Sequence, residues 1–205
     1  MMRWCAGLSV GLFLACGFAG ASELLTFNIT SQPGSEHYAV LWPFAQSVCA
    51  KAGLACQFVN LPLGRAVDKM RLGEIDGEFG RVREFAAAKG LNGIYLLVDA
   101  PFLPTRTVIL TRGGDPPVAS WNQLTGSPFR VGYPRGTYIY EARLQASGVK
   151  AIPVPLELTG QCPRMLIADG LVQRGPGVET YDTYMFVSSR HPELVPLLKR
   201  AIEQK

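Results

Sequence analysis

Short apolar strands alternate with helical segments along most of this chain, and this alternation restricts the possible folds more than any other feature. The clearest unit is Leu61–Arg83, where apolar residues at helical spacing are followed by Gly73, an Asp-Gly turn and a short apolar strand. Strands that alternate with helices form largely parallel sheets with helices packed on their faces. The pattern therefore predicts an α/β protein.

The alternation restarts after Pro117, beyond a loop rich in glycine and proline. A restart of this kind predicts a second, smaller sheet. Connecting segments near Thr105–Thr111 and near Thr180 would join the two sheets. We therefore expect two lobes with a cleft between them.

The first 21 residues read as a leader rather than as part of the fold. Arg3 precedes the almost wholly apolar stretch Ala6–Phe18, and the small residues 19–21 follow it. This combination is typical of a secretory signal peptide, and the apolar stretch is short for a transmembrane helix. We therefore expect residues 1–21 to be removed on export and the mature protein to act in the periplasm.

The cysteines fit an exported protein. Cys49 and Cys56 flank the end of a predicted helix and the start of the next strand. In an oxidising compartment they are close enough to form a disulfide, with two buried free thiols as the alternative. Cys16, inside the leader, leaves a lipoprotein open as a second reading of the N-terminus. Cys162 has no evident partner.

Composition argues against several functional classes. The formal net charge is +4, and the basic residues are scattered rather than clustered, which does not indicate a nucleic-acid surface. Apart from His37 and His191 the chain has no histidine, and no Cys/His group has metal spacing. We therefore expect a protein without nucleic acid, metal or cofactor.

Three ordered motifs link the chain to a known family. They are Gly-Glu-Ile-Asp-Gly at Gly73–Gly77, Asp-Ala-Pro-Phe at Asp99–Phe102, and the pair Trp121–Gly126 and Arg130–Thr137 that leads into a helix. In this order, behind a leader, they resemble the small periplasmic solute-binding proteins of the amino-acid-binding type. The resemblance covers nearly the whole chain after the leader.

The resemblance implies a two-lobed α/β fold that closes on a small ligand in the cleft. Residues 22–107 and 182–205 would form the first lobe, and residues 108–181 a second lobe that is shorter than usual for the family. It further implies a monomeric, non-catalytic protein that delivers its solute to an inner-membrane ABC permease or to a sensor.

Several ligand contacts follow from the resemblance. Arg81 best matches the first-lobe arginine that grips the carboxylate of the ligand, with Arg83 as the second choice. A guanidinium offers a planar pair of donors suited to a carboxylate, and the alternative for either arginine is a surface ion pair. Gly136 and Thr137 open a helix whose N–H groups can bind an anion, unless they form an ordinary helix start.

Aromatic residues supply candidate walls for the same site. Tyr38, Phe79 and Tyr138 are expected to contact the ligand, with packing against the core as the alternative. We expect Trp42 and Tyr140 to pack in the core, because aromatic residues at helical spacing usually do so.

The chain departs from the family after the helix near Met165. The family usually has a Gly-Arg-x-Asp pattern there, whose acid helps to recognise an amino group, whereas Ala168–Gln173 lacks the arginine and has no acid at the expected place. The expected ligand is a small carboxylate-bearing solute such as an amino acid, with α-amino specificity left open. The alternatives are a lyase or dehydratase that uses Glu78 or Glu141, which are otherwise surface acids, and a truncated relative that no longer binds.

Overall fold

A computed structural model describes residues 23–155 and 170–204 of the chain. The predicted leader at residues 1–21, Cys162 and the helix expected near Met165 lie outside these residues. The elements follow in the order β1 (Leu25–Ile29), α1 (Glu36–Ala52), β2 (Cys56–Val59), α2 (Leu63–Leu72), β3 (Gly77–Arg81), α3 (Phe85–Ala88), β4 (Tyr95–Arg112), a 3₁₀ helix (Trp121–Leu124), β5 (Arg130–Pro134), α4 (Tyr138–Ala146), β6 (Lys150–Val154), β7 (Val172–Ser188) and α5 (Leu194–Glu203).

The predicted alternation and the second sheet are both confirmed. A five-stranded sheet has the order β2-β1-β3-β7-β4, and a separate two-stranded sheet pairs β5 with β6. Strand β1 is parallel to β2 and β3, whereas β7 is antiparallel to β3 and β4. We refer to the five-stranded sheet with its helices as lobe 1, and to β5, β6, α4 and the 3₁₀ helix as lobe 2.

Strands β4 and β7 are much longer than the others, with 18 and 17 residues. They pair from Tyr95 with Ser188 out to Arg112 with Val172, and so extend from lobe 1 to lobe 2. We call the outer part, residues 103–112 paired with residues 172–183, the ribbon. Because the ribbon belongs to both lobes without a break, the lobe boundaries near residues 107 and 181 stay a prediction, as does the shortening of lobe 2.

The start of β7 corrects one expectation. Residues 170–177 contain Gly175, Pro176 and Gly177, a composition that predicts irregular structure. The structure instead has strand from Val172 onward, because β4 supplies a pairing partner for it. Pro176 lies where the register shifts, and bulges of this kind are where a strand accepts proline.

Each lobe has its own apolar core. In lobe 1, one cluster centred on Phe27, Phe79 and Leu41 is covered by α1 and α5, and a second cluster around Met70 and Phe85 is covered by α2 and α3. Lobe 2 has a smaller cluster around Leu124 and Leu144. The helix ends follow local rules: Gly73, at φ 74°, ends α2 in the left-handed conformation that the sequence predicts.

The predicted disulfide between Cys49 and Cys56 is confirmed. Its two Cα atoms are 6.3 Å apart, and it ties the last turn of α1 to the first residue of β2. Since β2 is an edge strand of the five-stranded sheet, the bond fixes this edge to the helix that covers it.

Removing this bond should destabilise the protein without changing its fold. The double variant Cys49→Ala/Cys56→Ala is expected to lose about 2–3 kcal/mol of unfolding free energy, because a short closed loop no longer restricts the unfolded chain. Urea unfolding followed by circular dichroism measures the loss, and wild-type protein unfolded with a reducing agent should give a similar midpoint. An unchanged midpoint in both experiments would contradict the expectation.

Candidate functional site

A cavity of about 1720 Å³ lies between the lobes. Its walls include the loop after β1 with the first turn of α1, the ribbon, and the first turn of α4. The volume exceeds the roughly 300–1,000 Å³ of a usual small-molecule pocket, so a small solute would fill only part of the cavity.

The structure brings some of the predicted ligand contacts together in this cavity. Arg81 from lobe 1 and Thr137 and Tyr138 from lobe 2 all line it. Gly136 instead packs against lobe 1: it has φ 84°, and a Cβ atom there would lie 3.0 Å from Cβ of Leu63.

The other predicted wall residues lie elsewhere. Phe79 is fully buried in the lobe 1 core, where its ring contacts Phe27, Phe58 and Phe102, so it has no exposed surface to offer a ligand. Tyr38 packs on Trp42 against the same core, with ring centroids 5.5 Å apart. Both residues therefore pack against the core, which was the alternative to ligand contact.

Arg81 is a buried residue, which corrects the alternative that it forms a surface ion pair. Its side chain is 5 % exposed, and that of its partner Glu78 is 0 % exposed. Nε and Nη2 of Arg81 donate to the two carboxylate oxygens of Glu78 at 2.9 and 3.0 Å, and Nη2 also donates to the Leu63 carbonyl at 3.1 Å. The guanidinium lies 4.1 Å from the ring centroid of Phe85. Of the guanidinium nitrogens, Nη1 takes no part in these hydrogen bonds.

A β-bulge creates this pair. In a regular strand, residues 78 and 81 point to opposite faces. Here the register shifts by one residue between Phe79 and Arg81, so that Glu78 lies opposite Phe186 and Arg81 lies opposite Tyr184. Gly80 takes φ 101° at this point, and a Cβ atom there would lie only 2.4 Å from Thr30 Oγ1. The bulge therefore places both side chains on one face, as such bulges do when they re-aim a side chain.

The two acids considered for catalysis are both held in ion pairs. Glu78 is not a surface acid as expected but a buried one, which also accepts a hydrogen bond from Asn28 Nδ2 at 3.0 Å. Glu141 pairs with Lys89 at 2.7 Å. Arg83 was the second choice for the arginine that binds the ligand carboxylate. It forms an exposed ion pair with Asp99, which is the surface ion pair that the sequence left open as the alternative.

His37 connects three parts of the cavity wall. Its Nδ1 forms a hydrogen bond with Ser31 Oγ in the loop after β1, and its Nε2 forms one with Thr105 Oγ1 on the ribbon at 3.1 Å. Burial lowers the pKa of His37 below its ordinary value. The imidazole is therefore neutral at neutral pH, with one ring nitrogen donating and the other accepting.

The ribbon presents a row of hydroxyl groups to the cleft. Thr105 lies directly opposite Tyr181, and Thr107 lies opposite Glu179, so these four side chains share one face. We call this the cleft face of the ribbon. Its contacts run to both lobes, since Thr105 bonds to His37 and Glu179 bonds to Arg143 of α4.

Two aromatic side chains complete the lobe 2 end of the cleft face. Trp121 Nε1 donates to Glu179 Oε2 at 2.9 Å. The Tyr181 phenol lies beside Tyr140, and burial, followed by the neighbouring Tyr140, raises the pKa of Tyr181. The Tyr181 hydroxyl is therefore protonated at neutral pH.

At one rim of the cavity the lobes touch. Lys89, which caps α3, pairs with Glu141 in the first turn of α4 and lies 5.7 Å from the ring centroid of Tyr138. Tyr138 itself packs on the lobe 1 cluster that contains Phe85. Thr137 is the N-cap residue of α4, yet its side chain makes no capping hydrogen bond.

Sequence reasoning missed Ser31, His37, Thr105 and Tyr181. The available signal was the period-two pattern Thr105-x-Thr107 and Tyr181-x-Thr183, which places hydroxyl groups on one face of the two segments predicted to cross between the lobes. That signal identifies the ribbon as a polar wall but gives no sign of His37, which depends on the way α1 meets the ribbon.

Comparisons with known proteins support the fold. No protein-family model and no curated protein matches the sequence. Among solved structures, an ancestral arginine-binding protein bound to arginine matches with a TM-score of 0.65 at 14% identity, covering 88% of this chain and 91% of that chain. The substrate-binding protein of an amino acid ABC transporter matches with a TM-score of 0.64 at 13% identity, covering 89% and 92%.

A histidine kinase sensor domain with similarity to periplasmic binding proteins also matches, with a TM-score of 0.66 at 12% identity, covering 89% of this chain and 90% of that domain. At these identities the likeness is one of fold. The two-lobed periplasmic-binding-protein-like α/β fold that the motifs indicate is therefore confirmed.

The buried pair should contribute strongly to stability. Arg81→Met is expected to lower the free energy of unfolding by about 3–5 kcal/mol, because it leaves the Glu78 carboxylate buried without its counter-charge. The double variant Arg81→Met/Glu78→Met should recover part of this loss. Chemical denaturation of the wild type, the two single variants Arg81→Met and Glu78→Met, and the double variant measures both effects.

Arg83→Met is the matched control for Arg81→Met. It removes an arginine only two residues away whose ion pair is exposed, and it should leave the unfolding midpoint nearly unchanged. Equal losses in Arg81→Met and Arg83→Met would contradict the role of the buried pair.

His37 should give stability a dependence on pH. Because its pKa is lower in the folded protein than in the unfolded chain, the unfolded chain binds more protons as the pH falls below about 6.5. The wild type should therefore lose stability on acidification from pH 7.5 to 5.5 more steeply than His37→Asn, as urea titrations at several pH values would show. Parallel curves for the two proteins would contradict this assignment.

Proposed function

We propose that this protein binds a small carboxylate-bearing solute, such as an amino acid, in the cavity between its lobes. The observation that carries the proposal is that Arg81 and the start of α4 line the same cavity from opposite lobes. The fold supports it, because solved structures with the same fold include an arginine-binding protein and the substrate-binding protein of an amino acid ABC transporter.

The carboxylate of the solute would lie between Arg81 and the first turn of α4. Glu78 holds the Arg81 guanidinium through Nε and Nη2, which leaves Nη1 as the donor for a ligand. From lobe 2, the Thr137 hydroxyl and the first N–H groups of α4 supply further donors, and the positive end of the helix dipole favours an anion. A carboxylate held from both sides would stabilise the closed arrangement of the lobes.

Contacts between the two lobes also support closure of the cleft at the point where α4 meets lobe 1. The Lys89–Glu141 pair and the packing of Tyr138 on lobe 1 both form only where α4 meets α3. Gly136 allows the loop before α4 to approach α2 closely, since a side chain there would press against Leu63. In this proposal Gly136 acts through that approach, whereas Thr137 and Tyr138 contact the solute.

The proposal is one of binding and delivery rather than catalysis. Glu78 and Glu141, the acids considered for a lyase or dehydratase, are both engaged in ion pairs. The recipient would be an inner-membrane ABC permease or a sensor, in line with the transporter protein and the kinase sensor domain among the solved structures. Within residues 23–155 and 170–204, no helix is long and apolar enough to cross a membrane.

The direct test is a search for the solute. Mass spectrometry of small molecules released from freshly purified protein, followed by thermal unfolding with a library of amino and organic acids, should identify a carboxylate that stabilises the fold. At a ligand concentration 100 times Kd the stabilisation should be about 2.7 kcal/mol. A cooperatively folded protein that shifts with no carboxylate would contradict the proposal and favour a relative that has lost binding.

Thr137→Val tests the lobe 2 half of the site. It should weaken binding of the identified carboxylate about ten-fold or more, because a hydrogen bond to a charged group contributes about 1.5–3 kcal/mol. Thr125→Val, at the end of the 3₁₀ helix and outside the described cavity wall, is the matched control and should bind as the wild type does. Isothermal titration calorimetry separates the two outcomes.

A further inference from the structure

Two connections join the lobes. One is the ribbon, which is continuous backbone. The other is non-covalent and lies where the first turn of α4 meets α2 and α3. We call it the rim contact, and it brings Gly136, Tyr138 and Glu141 of lobe 2 against Leu63, Lys89 and the Phe85 cluster of lobe 1. Lobe 2 cannot move away from α2 and α3 without breaking the rim contact.

The apolar part of the rim contact is closely packed. The side chain of Tyr138 packs on the lobe 1 cluster, and Nζ of Lys89 lies 5.7 Å from its ring centroid, within the range of a cation–π interaction. At Gly136, a Cβ atom would lie 3.0 Å from Cβ of Leu63 and 3.6 Å from the backbone nitrogen of Gly64. Only glycine permits this approach without strain, since Gly136 also has φ 84°.

The charged part of the rim contact has opposite signs on the two lobes. Lys89, at the C-terminal end of α3, pairs with Glu141 at 2.7 Å. Arg143, one turn further from the start of α4 than Tyr138, has a raised pKa, chiefly through its hydrogen bonds with Glu179 and more weakly through the charge of Glu84 at the other end of α3. Complementary charges of this kind favour one docked arrangement over others.

Every group in the rim contact belongs to the protein itself, so the contact can form whether or not a solute is bound. Its ion pair is partly exposed, and such pairs are weak enough to break and re-form. We propose that the rim contact is a latch that keeps the lobes closed without a solute, and that the Lys89–Glu141 pair sets how much of the protein is closed. The inference goes beyond the proposed function, because it concerns the equilibrium between open and closed lobes before any solute binds.

A distance between the lobes tests the latch directly. Spin labels at Arg200→Cys on α5 and Gln145→Cys on α4, both exposed positions, report the separation of lobe 1 from lobe 2, and Cys162→Ser prevents labelling at that position. Pulsed electron double resonance is measured on protein that has been dialysed from urea to remove small molecules. Most of the protein should show the distance that the structure gives for the two labelled sites.

A charge reversal should open the latch. Lys89→Glu replaces the attraction at Glu141 by repulsion, and it is expected to raise the ratio of longer to shorter distances about three-fold or more. The charge swap Lys89→Glu/Glu141→Lys restores opposite signs and should return the distribution to that of the wild type.

Lys69→Glu is the matched control. Lys69 forms a similarly exposed ion pair with Glu74, but both residues belong to lobe 1. Its reversal should therefore leave the distance distribution unchanged. Thermal unfolding of each variant verifies that it is folded.

Three results would each overturn the latch: a wild type that is mainly at longer distances, no change in Lys89→Glu, or the same opening in Lys69→Glu. A charge swap that stays as open as Lys89→Glu would overturn the role of the ion pair. Because these measurements use no solute, their outcome is independent of whether a carboxylate binds, and failure of either proposal leaves the other standing.

Discussion

The buried ion pair between Glu78 and Arg81 connects most of lobe 1 to the cleft. Glu78 accepts a hydrogen bond from Asn28 of β1, and Arg81 donates to the Leu63 carbonyl at the start of α2 and packs on Phe85 of α3. Three elements around β3, namely β1, α2 and α3, thus meet at one ion pair. A buried pair of this kind is strongly stabilising only while both partners remain, so the strand, two helices and the cavity wall depend on one another through it.

The ribbon has a comparable role between the lobes. A single antiparallel pair carries the chain out to lobe 2 and back, so the wall of the cleft is made of the same backbone that joins its two halves. His37 attaches that wall to α1, and Arg143 attaches it to α4 through Glu179. A movement of lobe 2 against lobe 1 must therefore bend the ribbon close to the residues that would contact a ligand.

Elements that depend on local chemistry were predictable from the sequence. The helix that ends at Gly73, the disulfide between Cys49 and Cys56 and the order of strands and helices all follow from short-range patterns. The partner of Arg81 was not predictable, because a regular strand places residues 78 and 81 on opposite faces and only the bulge at Gly80 reverses this. The strand at residues 172–177 was missed for a related reason, since its stability comes from a pairing partner sixty or more residues away along the chain rather than from its own composition.

The charge of Arg81 has a consequence for the kind of ligand the cleft suits. Glu78 offsets that charge within the same buried network, so the pair as a whole presents little net charge to the cavity. In the proposed site, the contribution of this pair to carboxylate binding would then come from oriented donors, namely Nη1 of Arg81 together with the first turn of α4, rather than from its net charge.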